Sequence, residues 1–240
     1  MQLAANLHRI GSDLVNAFLV EEDGELTLVD AGMPGNYRDL ETELRRLGRS
    51  LSDIRGVALT HGDPDHTGFA ERLRRETGVP VYVHEADAGR ARGEVKKQVK
   101  WGRARVGPTL RFLAYGLRRG GLSASPVSEV MPVPDGQVLE LPGSPRIIHL
   151  PGHTPGSAAV WFESLGALMV GDALTTGHVL TGEQGPQPAP FTIDVARAIE
   201  SLARIEELPG EWLLPGHGAP WRGSFGQAVA EIRRAAAAAA

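Results

Sequence analysis

The sequence predicts an α/β fold, for three reasons. In the first half, short apolar runs ending in Gly or Asp alternate with stretches of helical periodicity, as a strand–helix–strand chain requires. From 126 to 172 the texture turns to β, with short runs separated by Pro and Gly turns. The two halves also echo one another, LTLVDAG with ALMVGDA and VALTHG with WLLPGHG. Two related ββα-like halves facing each other would bring both sets of strand ends to one edge, where α/β folds place ligands.

Val15 to Val20 and Glu25 to Asp30 are β-type runs joined at Asp23-Gly24, a hairpin signal, and the second ends in VDAG. A helix is expected from Asn36 or Tyr37 to Leu47, with Leu40, Leu44 and Leu47 on one face and Gly48 as its stop. IRGVALT is a buried strand, residues 66 to 77 are helical, and VPVYVH, Val79 to His84, is a further strand. Residues 86 to 119 read as basic helical segments interrupted at Gly102 and Gly107-Pro108, a block inserted between core strands at about 86–125. GQVLELPG, RIIHLPGH, SAAVWF and GALMVGDA follow as strands. A Gly/Pro-rich loop at 182–190 precedes a helix near Asp194 to Leu208, the buried strand EWLLPGHG and a carboxyl-terminal helix.

A length of 240 residues suits one α/β domain over 1–240 with an ample core, and 42% hydrophobic with 22% charged residues is ordinary for a chain that folds by itself. The absence of cysteine excludes disulfides, thiolate ligands and cysteine nucleophiles, so any metal must be held by His, Asp or Glu. No run reaches the roughly 18 apolar residues of a membrane span, and MQLAANLHRIGSDLV has neither a basic nor an apolar leader region; a cytoplasmic protein is expected. The net charge of −4 hides an asymmetry: residues 90 to 119 hold ten Arg or Lys against one Glu, while the rest carries 15 basic and 28 acidic groups. Such a block is either a docking surface for an anionic partner or a solvated helical face.

Four segments end strand-like runs in His or Asp just before a turn. They are LTHGDPDHTG, with His61, Asp63, Asp65 and His66; PGHTPGS, with His153; GDA, with Asp172; and PGHG, with His217. A lone histidine is more often structural than a ligand, but four such segments in a chain of eight histidines are hard to explain by packing alone. Imidazole with carboxylate suits Zn, Fe or Mn, and the Gly and Pro around each ligand set the turns and let backbones come close. Two metals about 3.5–4 Å apart would generate a nucleophile at neutral pH and clamp a developing oxyanion.

In order and spacing these segments resemble the metallo-β-lactamase-fold hydrolase superfamily, whose pattern is THxHxDH, then PGHTPG, GD and GHG. The resemblance covers nearly the whole chain and implies a four-layer αββα sandwich with a dinuclear site. By match, His61, Asp63 and His153 take the first metal, Asp65, His66 and His217 the second, and Asp172 bridges them. It also implies that Asp30, in VDAG, orders the metal loop through hydrogen bonds. The cofactor implied is two divalent metal ions, zinc by default, with iron or manganese open because of Asp63.

Asp63 is the departure, since the family usually carries histidine there. Three carboxylates and a hydroxide neutralise two divalent ions, where the usual two carboxylates leave one positive charge; a less positive core acidifies water less and favours harder ions. On that count Asp63→His is expected to raise zinc retention. His178, in GDALTTGH, stands where it serves either substrate or packing; His84 and His149 read as structural, and His8 has no motif context.

The reaction the resemblance implies is hydrolysis of a carbonyl ester-type bond (ester, lactone or thioester) by a metal-bound hydroxide, with Asp65 as the catalytic proton shuttle. A true β-lactamase is disfavoured, because the family places Cys or Ser at position 172, and the short stretch after His217 disfavours a glyoxalase II of the usual kind. Phosphodiester chemistry with the basic insert binding phosphates is the alternative, followed by mononuclear iron persulfide dioxygenase-like oxidation. The expected partner is a small molecule, anionic or bearing an acyl chain; nucleic acid is disfavoured and a homodimer is left open. Trp101, Phe112, Leu113, Tyr115 and Leu117 interleave with the insert's charges, as in a lid over an apolar pocket or an amphipathic surface face.

Overall fold

Side chains that alternate across two facing sheets organise the molecule into layers. The computed structural model describes residues 1–95, 100 and 102–239. Among the described residues the first sheet has seven strands in chain order: β1 (Gln2–Ala4), β2 (Leu7–Ser12), β3 (Val15–Glu22), β4 (Glu25–Val29), β5 (Ile54–Leu59), β6 (Val81–His84) and β7 (Met131–Val133). The strands β1 to β4 are antiparallel neighbours. The pairs β4/β5, β5/β6 and β6/β7 are parallel; α1 (Tyr37–Leu47) carries the chain back for the first pair, α2 (Pro64–Thr67) with α3 (Ala70–Thr77) for the second, and the chain between His84 and Met131 for the third.

The second sheet is built from β8 (Arg146–His149), β9 (Ala158–Phe162), β10 (Ala167–Gly171), β13 (Trp212–Pro215) and β14 (Trp221–Arg222), in the order β14-β13-β10-β9-β8. A small hairpin of β11 (Thr175–Gly177) and β12 (Gln184–Gln187) stands apart. The helices α4 (Ala88–Ala91) and α5 (Val106–Arg118) belong to the insert, and α6 (Val195–Ser201) and α7 (Phe225–Ala239) to the second half.

Period-two alternation fills three core layers. On β3, Phe18 and Val20 enter the space between the sheets, while Ala17 and Leu19 join Leu40 and Leu44 of α1 and Leu73 of α3. On β9, Ala158, Val160 and Phe162 meet the first sheet, while Ala159 and Trp161 pack with Phe225 and Val229 of α7. Helices cover both outer faces, so the chain forms the expected αββα sandwich. One edge collects the turns after β4, β5, β10 and β13 and the loop between β8 and β9, and these carry Asp30, His61 to His66, Asp172, His217 and His153.

The local differences from the sequence reading have identifiable causes. The strands β1 and β2 carry no alternating signal, because Leu7, His8, Arg9 and Ile10 are all buried, Arg9 through hydrogen bonds to Asn16 and Asp13. GQVLELPG alternates as a strand should and hydrogen-bonds the β8 region through Gly136, Gln137 and Leu139, yet forms one bridge there, Val138–Arg146, instead of a named strand, and β7 lies upstream in the proline-bounded MPV. The helix expected over 66–77 breaks into α2 and α3 at Gly68, where the backbone of Gly32 and Met33 crosses so closely that a Cβ would meet the Gly32 oxygen at 2.3 Å. Gly107-Pro108 interrupts nothing, since it sits in the first turn of α5, where proline costs no hydrogen bond. The helix near 194–208 ends at Ser201 and continues as a 3-10 turn, and the 182–190 loop contains β12.

Gly68→Ala is therefore expected to cost about 1–3 kcal/mol, as overpacking against backbone does. Urea denaturation of metal-free protein checks this, and an unchanged midpoint would show that the Gly32–Met33 crossing tolerates a methyl group.

Candidate metal centre

Each of the four motif histidines has its Nδ1 tied to a fixed partner. His66 Nδ1 lies 2.8 Å from Asp30 Oδ2, and His217 Nδ1 2.5 Å from the Leu14 carbonyl. His61 Nδ1 lies 3.1 Å from Thr60 Oγ1, whose own proton goes to Asp30 Oδ2 at 2.8 Å. His153 Nδ1 lies 3.2 Å from Thr192 Oγ1, which donates to the Ala189 carbonyl at 2.7 Å. A carboxylate, a carbonyl or an already committed hydroxyl can only accept, so Nδ1 carries the proton, and in the neutral ring Nε2 keeps its lone pair.

The rings stand in an arc, with centroids 4.8 Å apart from His153 to His61, 4.2 Å from His61 to His66 and 5.5 Å from His66 to His217. Asp172 occupies the middle: Oδ1 is 3.4 Å from His66 Nε2, and Oδ2 is 3.2 Å from His217 Nε2 and 3.7 Å from His153 Nε2. The other carboxylates stand at the ends, Asp63 Oδ2 3.6 Å from His153 Nε2 and Asp65 Oδ2 3.5 Å from His217 Nε2. Three sets result, His61–Asp63–His153, Asp65–His66–His217 and His61–His66–Asp172, each with its donor atoms within 4.8 Å of one another and able to hold a metal ion. All seven residues named from the sequence are thus brought together, buried except for the half-buried Asp65.

This donor set fits divalent cations on the structure's own terms. His61 Nε2, His66 Nε2 and Asp172 Oδ1 are buried and make no hydrogen bond, an arrangement that costs about 1–3 kcal/mol per group unless something satisfies them. A cation between imidazole nitrogens and carboxylate oxygens does so. Close packing of the loops is part of the fit: at Gly216, just before His217, a Cβ would meet His66 Cε1 at 2.3 Å and Asp172 Oδ1 at 2.4 Å.

Residues around the ligand set hold it in place. Asp30 accepts from the Thr60 amide and hydroxyl as well as from His66, and does so from a left-handed backbone at φ 59°. Asp87 ties two ligand loops together, accepting from the Gly62 amide and Thr154 hydroxyl through Oδ2 and from the Gly156 amide through Oδ1. Asn16 Nδ2 donates to the Pro215 and Gly218 carbonyls on either side of His217. Arg90 Nε donates to Asp63 Oδ1 at 2.5 Å, with both side chains buried. The charge count made from the sequence therefore needs correction, because it omitted a guanidinium in contact with Asp63. None of Asp87, Asn16 and Arg90 was named from the sequence; their signal is tertiary, apart from the place of Asp87 just past a core strand.

The insert faces this edge. Phe112 of α5 meets the His217 ring edge-on at 5.9 Å, and Tyr115 OH hydrogen-bonds Asn36. Beside His217 a cavity of about 290 Å3 is lined by Leu14, Gly218, Pro108, Arg111 and His178. His178 Nδ1 accepts from the Leu180 and Thr181 amides, which fixes the proton on Nε2, and burial lowers its pKa. His84 and His149 stack on each other, 3.9 Å apart, away from the ligand set. Leu113 and Leu117 are on the exposed side of α5, and Trp101 lies outside the described residues.

The model of the metallo-beta-lactamase superfamily matches residues 10–217, which takes in every one of these ligand loops. The chain belongs to that superfamily. It is 28% identical to the probable metallo-hydrolase YflN of Bacillus subtilis (strain 168), over 92% of this chain and 87% of that one. It is also 28% identical to a hydroxyacylglutathione hydrolase of Gloeobacter violaceus, over 85% of this chain and 64% of that one. Among solved structures it superimposes on the metallo-beta-lactamase family protein TTHA1429 of Thermus thermophilus with a TM-score of 0.71 and 26% identity, covering 99% of this chain and 81% of the other. A second match, TTHA1623 in a di-iron-bound form, has a TM-score of 0.60 and 26% identity and covers 91% and 94% of the two chains. No helix among the described residues is long and apolar enough to cross a membrane.

Charge in the metal-free protein sets how ions enter. Burial disfavours the charged His66 ring, but Asp30 and Asp172 on its two sides raise its pKa well above the ordinary value. Burial works the same way on His217, and Asp172 again outweighs it and raises the pKa. Asp172 is held well below the usual carboxylate range, since His217 and His66 overcome its burial. His61 is pushed well below the ordinary imidazole range by burial, with His66 and His153 beside it. His66 and His217 thus hold a proton on Nε2 more readily than a free imidazole does, and a metal must displace any such proton. Metal uptake at pH 7 is expected to release protons and to weaken as pH falls. Calorimetry in buffers of different ionisation heat reads this directly, and heats independent of the buffer would mean that both rings are already neutral.

Proposed function

We propose that the protein is a metal-dependent hydrolase of a carbonyl ester-type bond (an ester, lactone or thioester), acting as one catalytic domain with a dinuclear centre. The observation that carries this reading is the convergence of four anchored Nε2 atoms and three carboxylates into two triads that share Asp172. His61, Asp63 and His153 would hold one ion, Asp65, His66 and His217 the other, and Asp172 would bridge them. The donors suit zinc or iron, and a di-iron neighbour supports keeping both. When bound, such ions supply Lewis acidity at a carbonyl oxygen and water acidified to near neutrality.

The chain's own residues supply the rest. Asp65, the most exposed carboxylate of the set at 15%, takes the proton of the attacking water and returns it to the leaving oxygen or sulfur. His178 offers Nε2–H to a substrate oxygen in the cavity beside His217, and stays neutral while doing so. Phe112 and the α5 backbone shield that cavity from water, and Arg111, exposed and without an ion pair among the described residues, takes a substrate anion at its mouth. The thioester branch has separate support, since one relative is named for a hydroxyacylglutathione, which is a thioester. Phosphodiester cleavage by the basic insert has less behind it. Arg105 is paired with Glu183 at 3.3 Å, Arg119 with Asp39 at 2.9 Å, and the Lys100 ammonium donates to the Ile193 carbonyl.

Metal analysis with a panel of p-nitrophenyl esters, acyl-homoserine lactones, acyl-thioesters and bis-p-nitrophenyl phosphate tests the reading, with turnover expected on carbonyl substrates. Turnover of the phosphodiester alone, or oxygen consumption with glutathione persulfide and no hydrolysis, would overturn it. On the substrate found, His178→Ala is expected to lower kcat about two- to tenfold, the worth of one neutral hydrogen bond of about 0.5–1.5 kcal/mol. Arg111→Ala is expected to raise KM with kcat little changed, as loss of uniform binding does.

A further inference from the structure

Outside the donor set, a buried guanidinium stands at this edge, that of Arg90. Its side chain is 7% exposed and that of Asp63 3%. Among the described residues Asp63 is its ion-pair partner, through Nε to Oδ1. The short helix that carries it is pressed on the ligand loop: a Cβ on Gly62 would meet the Ala91 amide at 2.6 Å, and the Gly62 amide donates to Asp87 at the helix start. The backbone of Arg90 is therefore fixed against the loop that holds His61 and Asp63. The two oxygens of Asp63 have different neighbours, Oδ1 the guanidinium and Oδ2 His153 Nε2 at 3.6 Å.

We propose that Arg90 is a positioning and charge-setting residue for the His61–Asp63–His153 site. By holding Oδ1 it leaves Asp63 a single oxygen, Oδ2, to offer an ion, and so fixes one-oxygen coordination. Its positive charge offsets the third carboxylate of the centre, so that Asp63 and Arg90 together equal a neutral ligand in charge. Burial makes the pairing matter for Arg90, because a guanidinium left alone in such a place costs several kcal/mol. The anionic, hard-ion character expected from Asp63 alone is thereby cancelled. Asp63→His by itself, instead of raising zinc retention, sets an imidazole against a buried cation.

This inference rests on the metal-centre reading above, and the test separates the two. Protein purified without added metal is analysed for bound ions, and chelator competition with zinc gives the affinity of each site in the wild type, Arg90→Gln, Arg90→Lys, Asp63→His and the double variant Asp63→His/Arg90→Gln. Loss of Arg90 is expected to weaken one ion of the two about 10–100-fold, as loss of an outer-shell partner does. Lysine, which keeps the charge without the Nε–H, should recover part of it. Asp63→His alone should also lose zinc, and the double variant should regain it, because no buried charge is then left unpaired. If Arg90→Gln does not fold, the comparison of Asp63→His with the double variant still decides. Zinc affinities equal to wild type in Arg90→Gln, a change confined to KM, or equal retention by the single and double Asp63 variants would each overturn the role of Arg90. Wild-type protein that binds no divalent metal would instead overturn the hydrolase reading itself.

Discussion

The geometry of the centre depends on one carboxylate, that of Asp30. It accepts from the Thr60 amide, the Thr60 hydroxyl and His66 Nδ1, and through that hydroxyl it also sets the tautomer of His61. Two of the four rings therefore take their orientation from a residue that is no ligand. To reach them Asp30 adopts a left-handed backbone at φ 59°, while its amide stays bonded to Ala58 of the neighbouring strand. A strained residue of this kind costs about 1–3 kcal/mol. Hydrogen bonds to a charged group contribute about 1.5–3 kcal/mol each, so three of them outweigh the strain, and the conformation persists.

Asp87 does for the loops what Asp30 does for the rings. Its oxygens accept two backbone amides and one hydroxyl, from the His61 loop and from the loop that carries His153. These two loops are about 90 residues apart in the chain and belong to different sheets. Asp87 has three hydrogen-bond donors on its oxygens, whereas Asp63 has its guanidinium and Asp172 has the His66 and His217 rings. Each buried anion at this edge thus has its own compensation, and the compensation differs according to whether the group must stay put, as Asp30 and Asp87 must, or exchange partners, as Asp172 must.

The gathering of the motif His and Asp residues at one edge was legible in the sequence because each candidate ligand segment follows a buried strand and carries a Gly or Pro turn, a combination that both places and announces it. The sandwich was legible for the same reason, since β3, β9 and β10 alternate cleanly between two cores. What could not be read falls into two kinds. Alternation reports which face a residue buries and not how far its backbone is paired, so GQVLELPG reads as a strand though it forms a single bridge to β8, while LHRI, buried on every side chain, shows no alternation. Residues that act through contact alone leave no local mark: Asp87 and Arg90 sit in an unremarkable EADAGRA, and the Leu14 carbonyl that orients His217 is a backbone atom of a tight turn. An inference about charge drawn only from motif residues was incomplete for that reason.

The insert shows why reaction and substrate separate in such a fold. The ligands sit on turns stitched to two sheets and to each other, and moving any of them breaks buried hydrogen bonds. Helix α5, by contrast, is attached by a few contacts to other loops: the Arg105 amide and Thr109 hydroxyl to the Leu180 carbonyl, Tyr115 to Asn36, and Arg119 to Gly35. Its inner face presents Phe112 to His217, while Val106, Leu110, Leu113 and Leu117 lie outward, 51–78% exposed. A helix held at its ends and apolar outside has no packing reason to keep the sequence it has. Changes in α5 alter what reaches His217 and Arg111 without touching Asp30 or Asp87, so specificity can vary while the centre that carries out the reaction stays fixed.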